Sequence, residues 1–273
     1  MSEEKKIFID NLLENYEKYA ESCRINHKYS IEDSIPRTII QLYYAEMEHL
    51  DHEIIADNYR RKYLQNENIL ENVKNPEEQA GLEVVIDYIF GNEWKYLKNN
   101  ITAMILRIHQ LLFSKVPHPE HYAGNFKTAT NVITYSDTET SEVSDVSKDV
   151  DEQNKKFNEL INKKEFIENS KKESDLFEYI NESIELSCRL LEIHPFDNGN
   201  GRTVRALLNI LFRNIGLPPV YVTPEEKEEY HKAVDIAVRE KDFSHINQFY
   251  YYKICDSIVE LDLKEKDDAL NRS

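Results

Sequence analysis

His194-Pro195-Phe196-Asp197-Asn198-Gly199-Asn200-Gly201-Arg202-Thr203-Val204-Arg205 stands apart from the rest of this 273-residue chain. Apolar residues at helical spacing flank it, with Leu186, Leu190 and Leu191 before and Leu207, Leu208, Leu211 and Ile215 after. The segment therefore joins two amphipathic helices. Gly199 and Gly201 let the backbone take positive φ and turn successive N–H groups toward one point, the geometry of an anion nest. A helix then begins, adding free N–H groups and the positive end of its dipole. Arg202 and Arg205 sit in the opening turns of that helix, where the dipole disfavours cations. Two forked guanidiniums there make sense if a polyanion binds, and their geometry suits phosphate oxygens. His194 in the same loop can accept a proton near neutrality, so it is the expected base for an attacking hydroxyl.

The surrounding composition fits that reading. Lys and Arg total 34 against 51 Asp and Glu, a formal net charge of -17. Such a surface repels nucleic-acid phosphates, so no nucleic-acid partner is expected. A small phosphorylated ligand needs only a local basic pocket. No apolar run approaches the ~20 residues of a membrane span, and the first residues lack the layout of a secretory signal. The three cysteines, Cys23, Cys188 and Cys255, are distant and odd in number, so they read as reduced and buried. A cytoplasmic protein without membrane attachment is the expectation.

With 6 glycines and 8 prolines, long helices are the default. Apolar spacing predicts helices around Ile7–Tyr19, from Ile35 through Leu50, from Pro76 to Ile89, and from Ile101 to Leu111. Others follow at 157–161, 176–191, 225–238 and 243–263. Residues 123–135, rich in Thr, Val and Ile, read as the one β segment. The acidic, Ser/Thr-rich stretch 136–151 reads as a loop.

The segment beginning at His194 resembles the signature of the Fic family, H-P-F-x-[D/E]-G-N-G-R-x-x-R, at every position but one. Leu207-Leu208-Asn209, Gly216-Leu217-Pro218-Pro219 and Glu229-Tyr230 follow the family pattern downstream. Ala123-Gly124-Asn125-Phe126-Lys127 resembles the start of a target-docking flap. The resemblance implies an all-α Fic fold with one β-hairpin flap: a helical extension over 1–74, a Fic domain over 75–262 and a charged tail over 263–273. It also implies transfer of AMP from ATP to a Ser, Thr or Tyr hydroxyl of a protein target, with removal of AMP in some members.

On that resemblance His194 is the base and Phe196 a buried anchor. Gly199, Asn200 and Gly201 hold the α- and β-phosphates, Arg202 the β/γ region and Arg205 the γ-phosphate. Tyr230 lies near the nucleotide base pocket. Phe126, Lys127, Val132 and Ile133 belong to the flap, where a target segment pairs as an added strand. The departure is Asn198, which stands where the family carries Asp or Glu to hold Mg²⁺. A neutral amide is a weaker ligand for a hard cation, so reduced metal affinity, a preference for Mn²⁺ or slow turnover is expected. Many relatives carry an inhibitory helix, [S/T]-x-x-x-E-[G/N], whose Glu pairs with the second motif arginine. Tyr44-Ala45-Glu46-Met47-Glu48-His49 is the fit chosen here, making Glu48 the inhibitory residue, with Glu53 a poorer second.

Two other readings stand beside the adenylyltransferase. Related Doc-type kinases place Lys or Arg at the position of Gly201, so the glycine argues against them. A catalytically weak nucleotide-binding module is the alternative that Asn198 raises. The sequence leaves a homodimer open.

Overall fold

The computed structural model describes residues 7, 10–16, 18–20, 32–46, 52–170 and 172–271. Helices dominate these: α1 (Ile35–Glu46), α2 (His52–Leu70), α3 (Pro76–Phe90), α4 (Ile101–Leu112), α5 (Val146–Glu152), α6 (Asn154–Asn162), α7 (Lys164–Ser170), α8 (Glu173–Ile193), α9 (Asn200–Asn214), α10 (Lys227–Glu240) and α11 (Ser244–Asn271). Residues 10–16 are helical as well. Local chemistry sets several of the starts. Asn75 Oδ1 accepts the N–H groups of Glu77 and Glu78, with Pro76 in the first turn. Asn100 Oδ1 accepts the N–H of Ala103 at the start of α4. Thr223 and Glu226 form a capping box before α10.

Helix α9 is the centre of the molecule. Every residue from Arg202 to Phe212 is buried, and α8, α4 and α3 pack around it. A helix enclosed on all sides carries polar residues only where they find partners. Asn209 meets that demand by closing a double hydrogen bond with Val220, donating to its carbonyl (2.9 Å) and accepting from its N–H (2.8 Å). Asn214 donates to the Ile161 carbonyl at 3.0 Å. The buried side chains form one cluster that includes Leu13 and Tyr16 near the start and Ile258 and Val259 in α11. Cys188 and Cys255 are buried free thiols, as expected, while Cys23 lies outside the described residues.

The structure corrects three sequence expectations. Residues 123–135 form no strand, and no strand occurs among the described residues. The flap is held by other bonds. The Lys127 N–H donates to Pro195 (2.8 Å), the Ser141 N–H donates to Ile193 (3.3 Å), and the Thr140 hydroxyl donates to the Asn131 carbonyl (2.8 Å). Those groups are thereby unavailable for a ladder across the flap. Second, the stretch read as a loop ends in α5, because Val146 and Val150 recur at i,i+4 and are both fully buried. Third, α2 was not anticipated. Its buried stripe is Tyr59, Tyr63 and Leu70, with fully buried Glu67 interrupting the apolar pattern.

Replacing Asn209 by Leu removes the acceptor of the buried Val220 N–H, while the Val220 carbonyl keeps the Tyr59 hydroxyl as its donor. The expected loss is about 1–3 kcal/mol of unfolding free energy in urea titrations, because a buried N–H is left unpaired.

Candidate active site

The loop between α8 and α9 is built as a rigid bracket. His194 ends α8 in the left-handed region (φ 52°), its N–H bonded to the Leu190 carbonyl. Its Nδ1 lies 3.2 Å from the Leu191 carbonyl oxygen. A carbonyl only accepts, so Nδ1 carries the hydrogen and Nε2 keeps its lone pair. Burial pushes the His194 pKa below the ordinary histidine value, although the Leu191 bond pulls the other way. The imidazole is therefore neutral at pH 7, the form that accepts a proton.

Phe196 is fully buried, as expected of an anchor, and stacks on the His109 ring with centroids 3.9 Å apart and planes 7° apart. His109 lies outside the motif, yet it sets the loop. Its Nδ1 accepts the Gly124 N–H (2.9 Å), so its Nε2–H donates to the Asn198 carbonyl (3.0 Å). Burial, partly opposed by the Asn198 bond, lowers its pKa to about 4. The only prior signal was a histidine on the apolar face of α4, indistinguishable there from an ordinary core residue.

The remaining motif side chains divide between scaffold and cradle. Asn200, expected at the phosphates, spends its amide on the loop: Oδ1 accepts the Phe196 N–H (2.9 Å) and Nδ2 donates to the Phe196 carbonyl (2.7 Å). Gly199 takes φ 75°, and a Cβ there would come within 2.8 Å of the Phe113 ring. No side chain caps the N-terminus of α9, unlike α3 and α4. Arg202 is 2% exposed and donates to Glu78 at 3.0 Å, while its Nε and Nη1 find no acceptor. Buried guanidinium donors without partners are costly, so they mark a place for an anion.

Arg205 already has its anions. Its guanidinium grips Glu67 through Nε (2.8 and 3.0 Å) and Nη2 (2.6 Å), and Nη2 also reaches Glu71 at 2.5 Å. Burial opposes the charge on Arg205, but the two carboxylates outweigh it and hold the pKa above the usual arginine value. Burial raises the Glu67 pKa while Arg205 pulls it down. For Glu71 burial also acts upward, yet Arg205 prevails and the pKa falls. Glu71 covers Gly201, since a Cβ on that glycine would lie 2.5 Å from Glu71 Oε1. Lys227 fixes the end of α2 by donating to the Leu70 carbonyl at 2.6 Å.

Glu48, the inhibitory residue expected from the sequence, lies outside the described residues, as does the side chain of Glu53. Glu67 is the residue that meets the second motif arginine. Tyr63-Leu64-Gln65-Asn66-Glu67-Asn68 matches the E-[G/N] end of the pattern, which Glu48-His49 does not. Reading α2 as a helix would have found it.

Other expected residues are placed less simply. Tyr230 is buried, with the Arg205 guanidinium 5.7 Å from its ring centre. In the flap, Val132 is 70% exposed, but Ile133 is buried and Phe126 packs toward Phe196. Lys127 is 2% exposed and bonds Asn131 and Thr140, so it braces the flap from within. Asn198 Oδ1 accepts the Gly199 N–H at 2.7 Å, and the Asp197 carboxylate turns to Thr128. The loop thus presents no free carboxylate for a divalent cation.

His109 makes the bracket pH-sensitive. Its folded pKa lies below its unfolded value, so the stability it confers is present above pH 6.5 and is lost as pH falls toward about 4. Between pH 7 and 5 the His109→Gln protein should lose about 2 kcal/mol less unfolding free energy than wild type, read from parallel urea titrations.

Comparison with known proteins agrees with this geometry. The chain is 27% identical over 228 residues to "Protein adenylyltransferase Fic" of Aedes aegypti, covering 78% of this chain and 42% of that one. It is 43% identical over 49 residues to "Protein adenylyltransferase fic-1" of Caenorhabditis elegans, covering 18% and 10%. The chain spans less than half the length of these curated relatives. Among solved structures, a Fic domain containing signaling protein from Bacteroides thetaiotaomicron shares the fold with a TM-score of 0.62 at 14% identity, over 83% of this chain and 95% of that one. C. elegans Fic-1 (residues 134–508) does so with a TM-score of 0.58 at 18% identity, over 85% and 71%. Residues 100–212, which hold α4, the flap, α8, the loop and most of α9, match the family model described as Fic/DOC family.

Proposed function

We propose that this chain transfers AMP from ATP to a hydroxyl of a protein substrate, and that it rests in a self-inhibited state. The observation that carries the reading is one juxtaposition: a neutral His194 with Nε2 unprotonated beside an uncapped helix N-terminus and two unpartnered Arg202 donors. His194 takes the proton of the attacking hydroxyl. Its oxygen forms a bond to the α-phosphorus, the bond to the β-phosphate oxygen breaks, and pyrophosphate leaves. The N–H groups at Gly199–Gly201 and the Arg202 guanidinium hold the charge that develops on the phosphates. The relatives named as protein adenylyltransferases support this chemistry, and Gly201 favours it over the Doc-type kinase.

Glu67 and Glu71 stand where the resemblance puts the γ-phosphate, opposite Arg205. Two carboxylates and a triphosphate cannot share that guanidinium, so productive binding of ATP requires α2 to yield. A slow, nucleotide-binding module is therefore the form that the unperturbed chain takes. The donor set at Asn198, a neutral amide that accepts the Gly199 N–H, does not fit a tightly held Mg²⁺ or Mn²⁺.

Incubation with α-labelled ATP and cell lysate tests the reading. His194→Ala should lower label transfer to protein roughly 10²–10⁴-fold. Glu67→Gly should raise the initial rate at least about tenfold, which corresponds to removing about 1.4 kcal/mol of competition. Equal label with and without His194 would overturn the transferase, and an unchanged Glu67→Gly rate would overturn the inhibition. In a pH profile of kcat/KM for Glu67→Gly, activity should fall with acid through an inflection below the ordinary histidine value of 6.5. Asn198→Asp should lower the half-saturating Mg²⁺ concentration of the Glu67→Gly enzyme by about tenfold, because it restores a charged ligand.

A further inference from the structure

A second cavity lies at the far end of α9, away from the loop. Its volume is about 620 Å³, and it is walled by the 3-10 turn Glu93–Leu97, by α7 and by Arg213 and Asn214 of α9. A 15-residue helix spans roughly 22 Å, so this cavity and the Gly199–Arg205 cradle occupy opposite ends of one rigid rod. The volume falls within the roughly 300–1,000 Å³ of small-molecule sites.

Its lining is unusual for this chain. Four cations (Lys95, Lys98, Lys164 and Arg213) face two carboxylates, Glu165 and Glu168, in a protein whose net charge is -17. Lys164 and Glu168 pair with each other at 3.6 Å, which leaves Lys95, Lys98 and Arg213 against Glu165 alone. The buried Nη1 of Arg213 finds no acceptor. Its guanidinium lies over the Phe90 ring at 4.9 Å. Trp94 is 3% exposed and lines the same cavity, and its indole N–H also finds no acceptor. Two buried donors without acceptors, both on residues that line a cation-rich cavity, mark a place for an anion. Phe90 and Ile161 add apolar side chains to the lining.

We propose that this cavity binds a small phosphate monoester with a flat apolar body, its phosphate held by Arg213, Lys95 and Lys98 and by the Trp94 N–H. A dianion matches the excess of cations better than a carboxylate does, and the apolar lining at Phe90 and Ile161 takes the organic part. The site is independent of the adenylyl transfer reading, since none of its residues touches the loop ligands.

Trp94 is the only tryptophan of the chain, so its emission reports on this cavity directly. Phenyl phosphate, inorganic phosphate and benzoate are titrated into the full chain at constant ionic strength while Trp94 fluorescence is followed. Phenyl phosphate should give a saturable change and bind at least tenfold more tightly than inorganic phosphate or benzoate. Arg213→Met should weaken that binding at least tenfold, and the exposed Lys98→Gln variant should weaken it about threefold if Arg213→Met fails to fold. A flat titration with all three probes overturns the proposal. So does phenyl phosphate binding that neither variant alters, and so does benzoate binding as tightly as phenyl phosphate. Label transfer from ATP plays no part in this readout, so its loss leaves the result standing.

Discussion

The grip of Arg205 on Glu67 and Glu71 is the constraint around which the rest is arranged. A guanidinium in the first turns of a buried helix, beside a second one, is untenable alone, because burial and the helix dipole both oppose its charge. Two carboxylates brought by α2 resolve the conflict within the chain. On the proposed function, the same two carboxylates occupy the place that the cradle offers to an external polyanion. On that reading, stability of the resting protein and access to its site are set by one contact, with opposite signs. A buried pair of this kind is strongly destabilised when one partner leaves, unless a replacement anion enters.

Around that contact the loop is held mainly by neutral hydrogen bonds, with the Asp197 carboxylate accepting from Thr128. His109 donates to the Asn198 carbonyl, Asn200 closes on Phe196 from both sides, and Asn131 donates to the Phe196 carbonyl at 2.8 Å. Each of these groups is satisfied, so the loop cannot relax toward the ligand without losing several bonds at once. That rigidity fixes His194 at the C-terminal end of α8, six residues before the first turn of α9. It also explains why the flap needs no strand: its edges are tied directly to the loop carbonyls at Ile193 and Pro195.

The glycines illustrate how packing and chemistry converge. At Gly199 both the positive φ and the Phe113 ring exclude a side chain, so the residue is fixed by the scaffold. At Gly201 the space is taken by Glu71, so there the glycine keeps room for a carboxylate at rest and, on the proposed function, for a phosphate in action.

Much of the molecule was legible in the sequence because it depends on local rules. Apolar spacing located α3, α4 and α8–α11, and Asn75-Pro76 marked one start. The paired arginines announced that an anion was required, and His194 announced a base. Which anion meets Arg205 was decided by tertiary structure. Glu67 lies 138 positions away, on a helix whose stripe it interrupts, so neither periodicity nor charge pattern singled it out. His109 was hidden for the same reason, since a buried histidine acquires its role only from the ring and the carbonyl it meets. The flap was misread because β propensity describes a residue's preference, while these backbone groups found stronger claims on the loop beside them. The sequence by itself determined most of the helices and the need of the paired arginines for negative charge. Only the tertiary structure decided that the chain supplies that charge from within, because burying a cation makes its partner a question of what the fold brings near.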